Sequence, residues 1–367
     1  MKNLLIIAIA LSTVNAFASK AYYSSLGGSI HLADKYSPEN FFEGSEYFTI
    51  EAGLQTPGTL TALTGLASTA NANATTEGQL VKSVGEGRVS VLLGHEDTTI
   101  FYNRQNSGVA LIQAQQNPLE LGYAMKWDGF VVGAGLIYSK YEVKVGTVES
   151  ESSLGLRLGI SNQLFYTAAK LILEDKYSKG ATTYKGATGI DLLGGMNFGS
   201  TSVHANIVST GFTVNDGATA DSKTNKYSVN AVEKIKKDNN EFFYGAGVVQ
   251  SVVEDTKLKN KTTTLNLPLI IGLEAVATNW LTLRASVSQD VLLSDSKFES
   301  TPVNPLTNTN TSPGLNSTKF AAGAGLTFNK VTIDGLIATA VAGPPAATVQ
   351  DINTNNLLSS VAVTYNF

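Results

Sequence analysis

The chain has three histidines, His31, His95 and His204, and no cysteine. Hydrolytic or proton-transfer chemistry needs a base, an orienting partner and a nucleophile or acid converging on one point. The histidines fall on separate segments, and no such set can be assembled around any of them. No His, Asp or Glu spacing matches a metal site, and Gly85 to Arg88 (GEGR) is too short for a phosphate loop. The sequence therefore points to no enzyme and to no cofactor. What remains is a scatter of single charges: Glu51, Arg88, Glu120, Lys126, Arg157, Lys170, Glu274, Arg284 and Lys319. Most have an apolar residue on both sides. On an extended chain that puts the charge on one face and its neighbours on the other. The chemistry open to such a face is electrostatic: solvating and filtering ions inside a wet lumen.

The elements that must carry these charges read as long alternating strands. In PLELGYAMKW, Leu119, Leu121, Tyr123, Met125 and Trp127 oppose Glu120, Gly122, Ala124 and Lys126. In LGLRLGIS, Leu154, Leu156, Leu158 and Ile160 oppose Gly155, Arg157 and Gly159. LNLPLIIGLEA, WLTLRASVS, KFAAGAGLTF and the terminal SSVAVTYNF repeat the pattern. A soluble sandwich alternates in the same way, but its strands average about 5–6 residues. These run to about 10, the span of a tilted membrane strand. Their polar faces are also rich in Gly and Ala, unlike a solvated Lys/Glu surface.

Connections set the topology. Asp128-Gly129, Ser161 to Gln163, Gly199-Ser200, Thr278-Asn279 and Asn329-Lys330 are tight hairpin turns. Between them lie polar stretches at 176–186, 215–225, 290–316 and 342–356, read as long loops. Short turns alternating with long loops are the asymmetry of an up-and-down transmembrane barrel, with short periplasmic turns and long extracellular loops. The expected fold is all-β: an antiparallel barrel of about 16 strands, with 14 or 18 as alternatives. The least secure strands are the pair around 88–96 and 98–103 and the one at 226–235.

The ends agree with this reading. Residues 1–18 have a charged start at Lys2, an apolar run and Ala16-Phe17-Ala18, the form of a cleaved secretory signal. Losing Lys2 takes the formal charge from −4 to about −5, which leaves no basic footprint for nucleic acid. Residues 19–45 form a lead that is either periplasmic or tucked into the lumen, and 46–367 form the barrel. At the other end, Val361, Val363, Tyr365 and Phe367 make one apolar face. An unpaired strand edge is not tolerated in hydrocarbon, so this strand must pair with the first. Trp127, Phe130, Phe198, Trp280, Phe328 and Phe367 all flank short turns or the terminus, the placing of an aromatic girdle.

The signal peptide, the alternating strands and the terminal Phe367 together resemble the bacterial porin-type outer-membrane barrels. The texture resembles the porin-like major outer-membrane proteins of predatory Bdellovibrio-type bacteria. The constriction motif of enterobacterial general porins, a Pro-Glu-Phe-Gly-Gly run, is absent. The resemblance implies residence in a Gram-negative outer membrane among its lipids. It implies delivery by an assembly machinery that reads the C-terminal strand, and homo-oligomer formation. The expected function is passive, weakly selective diffusion of small hydrophilic solutes and ions. Two other readings stand beside it: a structural oligomeric barrel enclosing lipid, and a hydrophobic-substrate transporter plugged by 19–45. Small outward groups on the last strands, Ala322, Ala324, Gly335, Thr339, Val361 and Val363, offer a candidate oligomer interface.

Overall fold

The computed structural model describes residues 45–54, 74–94, 119–143, 149–186, 188–214, 222–255, 260–299, 318–342 and 360–367, with Tyr22, Ser25, Leu26 and Phe42 of the N-terminal segment. Seventeen extended segments follow in chain order. They are β1 (Tyr47–Leu54), β2 (Ala74–Val84), β3 (Gly87–Leu93), β4 (Leu119–Trp127), β5 (Phe130–Val143) and β6 (Glu149–Ser161). Then come β7 (Phe165–Lys179), β8 (Thr182–Gly186), β9 (Gly189–Phe198), β10 (Thr201–Val214), β11 (Ser222–Lys237) and β12 (Asn240–Asp255). The last are β13 (Asn260–Val276), β14 (Leu281–Glu299), β15 (Thr318–Phe328), β16 (Val331–Ala342) and β17 (Ser360–Asn366).

β8 and β9 pair with β7 on one side and β10 on the other, so they are one barrel strand interrupted between Gly186 and Gly189. The fold is thus a closed antiparallel barrel of sixteen strands. The ring closes where β17 pairs with β1, from Tyr47 opposite Asn366 to Gly53 opposite Ser360. Closure satisfies the backbone groups that an open edge would leave exposed to lipid.

The hairpin turns explain one end of the barrel. Asp128 and Gly129 both have positive φ, at 45° and 83°. That is the primed turn whose twist matches the strands it joins. Gly85, Gly199, Asp238 and Asn329 take left-handed φ in the other short turns. All of these turns lie at the end where β1 begins and β17 finishes.

The opposite end departs from the sequence reading. Residues 176–186 are not a long loop: β7 runs to Lys179 and turns at Gly180-Ala181 into β8. β11 begins at Ser222 and β14 continues to Glu299, so the loops expected at 215–225 and 290–316 are partly strand. Strands β11 to β14 have 16 to 19 residues. A membrane crossing takes about 9–11, so these strands must project beyond the hydrocarbon. Hairpin pairing sustains them there because backbone hydrogen bonds do not depend on the apolar face. Gly87–Leu93 pairs with β2 and β4, and residues 98–103 lie outside the described set.

The two faces divide by chemistry. Leu121, Tyr123, Leu136, Leu158, Ile190, Leu192, Ile271 and Leu283 point outward and are exposed. Val81, Leu92, Glu120, Ile137, Ser139, Glu151, Arg157, Asp175, Phe243, Arg284 and Asp334 point inward and are buried. A water-soluble domain would place these two sets the other way round. Three irregularities reset the alternation. A residue bulges out of β7 between Ile172 and Glu174, another out of β16 between Leu336 and Ala338, and the β13–β14 register shifts near Leu265. Each bulge lets the inner face change from even to odd positions partway along a strand.

Candidate functional site: the inner wall

The best-defined cluster on the inner wall is built around Arg284. Its Nε donates to Glu274 Oε2 at 2.9 Å and its Nη1 to Asp334 Oδ1 at 2.8 Å. Glu274 sits directly opposite Arg284 across β13 and β14. Asp334 is on β16, with β15 lying between. The gap is bridged because β15 carries Gly325 at that point. A Cβ there would stand 2.7 Å from Arg284 Nη2 and 3.0 Å from Asp334 Oδ1. The planar guanidinium supplies several donors in a fixed fork, so one arginine can hold two carboxylates.

The same device recurs. On the opposite side of the ring, Arg157 Nε pairs with Glu120 Oε1 at 2.5 Å. Arg157 is on β6 and Glu120 on β4, and Gly135 of β5 lies beneath the guanidinium stem. Between β7 and β10, Tyr166 lies flat over Gly195 and its hydroxyl meets His204 Nδ1 at 2.8 Å. His204 is therefore a hydrogen-bonded wall residue. His31 and His95 lie outside the described residues. Further polar links are Ser153 Oγ donating to Asp175 at 2.7 Å, Asn206 Nδ2 donating to Asp191 at 2.5 Å and Ser360 Oγ donating to Glu51 at 2.8 Å.

Of the nine expected lumen charges, Glu51, Glu120, Arg157 and Arg284 are buried on the inner face. Arg88, Lys126, Lys170 and Glu274 face inward with partial or full exposure, and Lys319 holds an inward register position opposite Ser288. The wall gathers carboxylates that strand-by-strand reading passed over: Glu77 opposite Glu51, then Glu151, Asp175, Asp191 and Asp334. Asp334 did leave a signal. It is the sole charged residue in VTIDGLIATAVA.

Four residues of the N-terminal segment also lie against this wall. The Arg284 guanidinium stacks on the Tyr22 ring, 4.2 Å from its centroid. Ser286 Oγ donates to the Ser25 carbonyl at 3.0 Å, and Ser25 itself is fully buried. Leu26 packs with Val232, Phe243 and Ile270. Phe42 packs with Val81 and Ala124, with Arg88 and Lys126 within 5.2 and 5.4 Å of its ring.

The outer rim at the short-turn end is aromatic. Trp280 stacks on Phe328, with centroids 6.1 Å apart and planes 17° apart. Phe130 sits 6.0 Å from Phe165, and Trp127 and Phe198 are exposed beside their turns. Phe367 is held at the closing seam. Its N–H donates to the Glu46 carbonyl at 3.1 Å, its ring lies 3.9 Å from Lys82 Nζ and it meets Tyr365 edge-on. Lys82 Nζ and the Ser83 N–H both donate to the Glu46 carboxylate, at 2.8 and 3.0 Å. These contacts hold the Glu46 carboxyl down at about 2, the Lys82 hydrogen bond first.

Among the small residues of the last strands, Ala322, Ala324, Gly335, Val361 and Val363 share the outward register. Thr339 lies beyond the bulge in β16, where its register partner is Ala321.

No known sequence family and no curated protein matches this chain. Solved structures do. CdiB from Acinetobacter baumannii is 9% identical with a TM-score of 0.48, over 88% of this chain and 60% of CdiB. A bacterial polysaccharide outer membrane secretin is 9% identical with a TM-score of 0.46, over 88% of this chain and 98% of the secretin. An anion-selective porin from Comamonas acidovorans is 10% identical with a TM-score of 0.38, over 88% of this chain and 99% of the porin. The chain thus spans under two thirds of CdiB's length and nearly all of the other two. These are likenesses of fold. The closed barrel itself rests on this chain's own strand pairing.

Proposed function

We propose that this chain is a porin-like channel of a Gram-negative outer membrane, passing small hydrophilic solutes and ions by passive diffusion. The observation that carries the reading is the inversion of the two faces. Apolar side chains meet the surroundings, while carboxylates, guanidiniums and ammoniums line the interior. Water and ions stabilise such a wall, whereas a hydrophobic substrate would strip solvation from the wall's charged groups and return no hydrogen bonds. Both signs of charge occur along the wall, and many are matched in pairs. That balance supports weak ion selectivity.

The test is electrical. Refolded, heat-modifiable protein, both full-length and lacking residues 19–42, is inserted into planar bilayers under a salt gradient. Discrete conductance steps with a reversal potential near zero are expected. Silence from both inserted forms refutes the channel and favours a structural barrel.

A further inference from the structure

We propose that Lys140, Lys176 and Lys185 form a seat on the outer surface of the barrel for the phosphate-bearing headgroup of an outer-leaflet lipid. The inference rests on the membrane placement proposed above and not on conduction. It starts from the register of neighbouring strands. Lys140 of β5 stands opposite Ser152 of β6, and Ser152 opposite Lys176 of β7. Lys176 stands opposite Lys185 of β8, and Lys185 opposite Thr213 of β10. Direct partners across an antiparallel ladder share a face, so these residues make one lateral row. The row faces outward. Ser139, Glu151, Ser153, Asp175, Tyr177 and Phe212, the chain neighbours of its members, are buried on the inner face. All three lysines are exposed.

The row lies at headgroup height. On each strand from β5 to the joined β8–β9 it falls beyond the last exposed large apolar side chain, counted from the short turns. Those side chains are Tyr138, Leu154, Leu173 and Ile190. Lys140 follows Phe130, at the short-turn rim, by ten residues. Ten residues rise about 33 Å along a strand, or about 25 Å along the axis of a barrel whose strands tilt about 40°. The apolar band of an outer-membrane barrel is about 25 Å tall.

The row is also built of like charge. Lys176 and Lys185 are direct cross-strand partners, an arrangement that repulsion disfavours. The row holds no carboxylate, and among the described residues none of its three lysines makes an ion pair. Glu142 and Glu174 lie two positions along their strands on the same face, and Glu174 accepts from Ser152 Oγ at 3.2 Å. Further round the ring the outward charges alternate in sign. Lys223 stands opposite Glu254, Glu254 opposite Lys261 and Lys261 opposite Glu299, with Lys261 Nζ 3.5 Å from Glu254. That wall neutralises itself, whereas the wall from β5 to β8 leaves its counter-charge to come from outside. A phosphate supplies it. Neighbouring strands lie about 4.8 Å apart, so the backbones of Lys176 and Lys185 are about 5 Å apart and that of Lys140 about 10 Å from Lys176. Flexible four-carbon stems let these ammoniums converge on one or two phosphoryl groups, while the acyl chains lie along Tyr138 and Leu154 below.

Amine acylation reads the seat directly. The refolded parent is placed in phosphatidylcholine vesicles with and without diphosphorylated lipid A, and acylation of each lysine is followed by peptide mass spectrometry. Lys140, Lys176 and Lys185 are expected to react severalfold more slowly with lipid A present, while Lys223, opposite Glu254, keeps its rate. Inorganic phosphate added to phosphatidylcholine vesicles is expected to give no protection. Native mass spectrometry then compares the parent with the triple variant Lys140→Gln/Lys176→Gln/Lys185→Gln, both released in zwitterionic detergent. The variant is expected to retain severalfold less lipid A at unchanged conductance. Equal acylation in the two vesicles, equal protection by inorganic phosphate, or equal lipid retention overturns the seat while leaving the channel standing. If the triple variant fails to fold, acylation of the parent decides. A barrel that enters neither vesicle overturns the membrane placement, and the seat with it.

Discussion

Replacing Arg284 by methionine tests whether the inner wall is held by charge. The substitution strips Glu274 and Asp334 of a shared partner that contacts them at 2.9 and 2.8 Å. The side chains of Arg284 and Asp334 retain 7% and 2% exposure, Glu274 12%. Removing one member of a fully buried ion pair costs about 3–5 kcal/mol, because the survivors keep their desolvation penalty. Glu274 keeps some contact with water, so the lower end, about 3 kcal/mol, is expected. Replacing all three (Glu274→Leu, Arg284→Met, Asp334→Leu) removes the stranded charges as well and should recover most of that loss. Urea titration of the folded barrel in lipid vesicles, followed by tryptophan fluorescence, measures both. Trp280 is a suitable reporter, since it immediately precedes β14 and stacks on Phe328. Arg284→Met with an unchanged midpoint, or a triple variant less stable than the single, refutes the account of a wall held by compensated charge.

Four further outcomes are expected. Leu156→Ala should insert nearly normally while Leu156→Arg, facing lipid, loses about 2–4 kcal/mol in folding titrations; Gly155→Ala should assemble poorly, because its Cβ meets the Leu171 carbonyl at 2.8 Å. The reverse order of yields rejects the assigned faces. Deletion of Phe367 should lower the amount of folded protein in the outer membrane without blocking export, as read by heat-modifiability, since it removes the contacts to Glu46 and Lys82 at the seam. The folded pKa of Glu46 lies at about 2, below its ordinary 4.5. Its contribution to stability is thus present above pH 4.5 and disappears as pH falls toward 2, so Glu46→Gln should lower the urea midpoint at neutral pH and converge with the parent near pH 2. Finally, single cysteines at Ala324 and Val363 should cross-link between copies in native membranes while one at Leu158 should not; cross-linking at Leu158 alone rejects association through the last strands.

The class of fold and the division of its faces were decided locally, and so were legible in the sequence. A strand's side chains alternate whatever its partners do, so Glu120, Arg157 and Arg284 had to face away from the leucines beside them. The turn residues at Asp128-Gly129 and Asn329 likewise act through their own backbone preferences. Which charges meet is a different matter. Arg284 finds Asp334 only because β16 lies two strands away at a particular register and the strand between offers Gly325. Glu77 and Glu51 face each other only through the β1–β2 register. The bulge in β16 shifts its register against β15 between Ala322 and Gly323, which simple alternation does not foresee, and paired backbone carried β7 and β14 beyond their expected ends. The seats of Tyr22, Leu26 and Phe42 are made by β2, β4 and β11 to β14, strands far from one another in sequence. Periodicity records which way a side chain points, but the contact it makes depends on what closure of the ring brings opposite it.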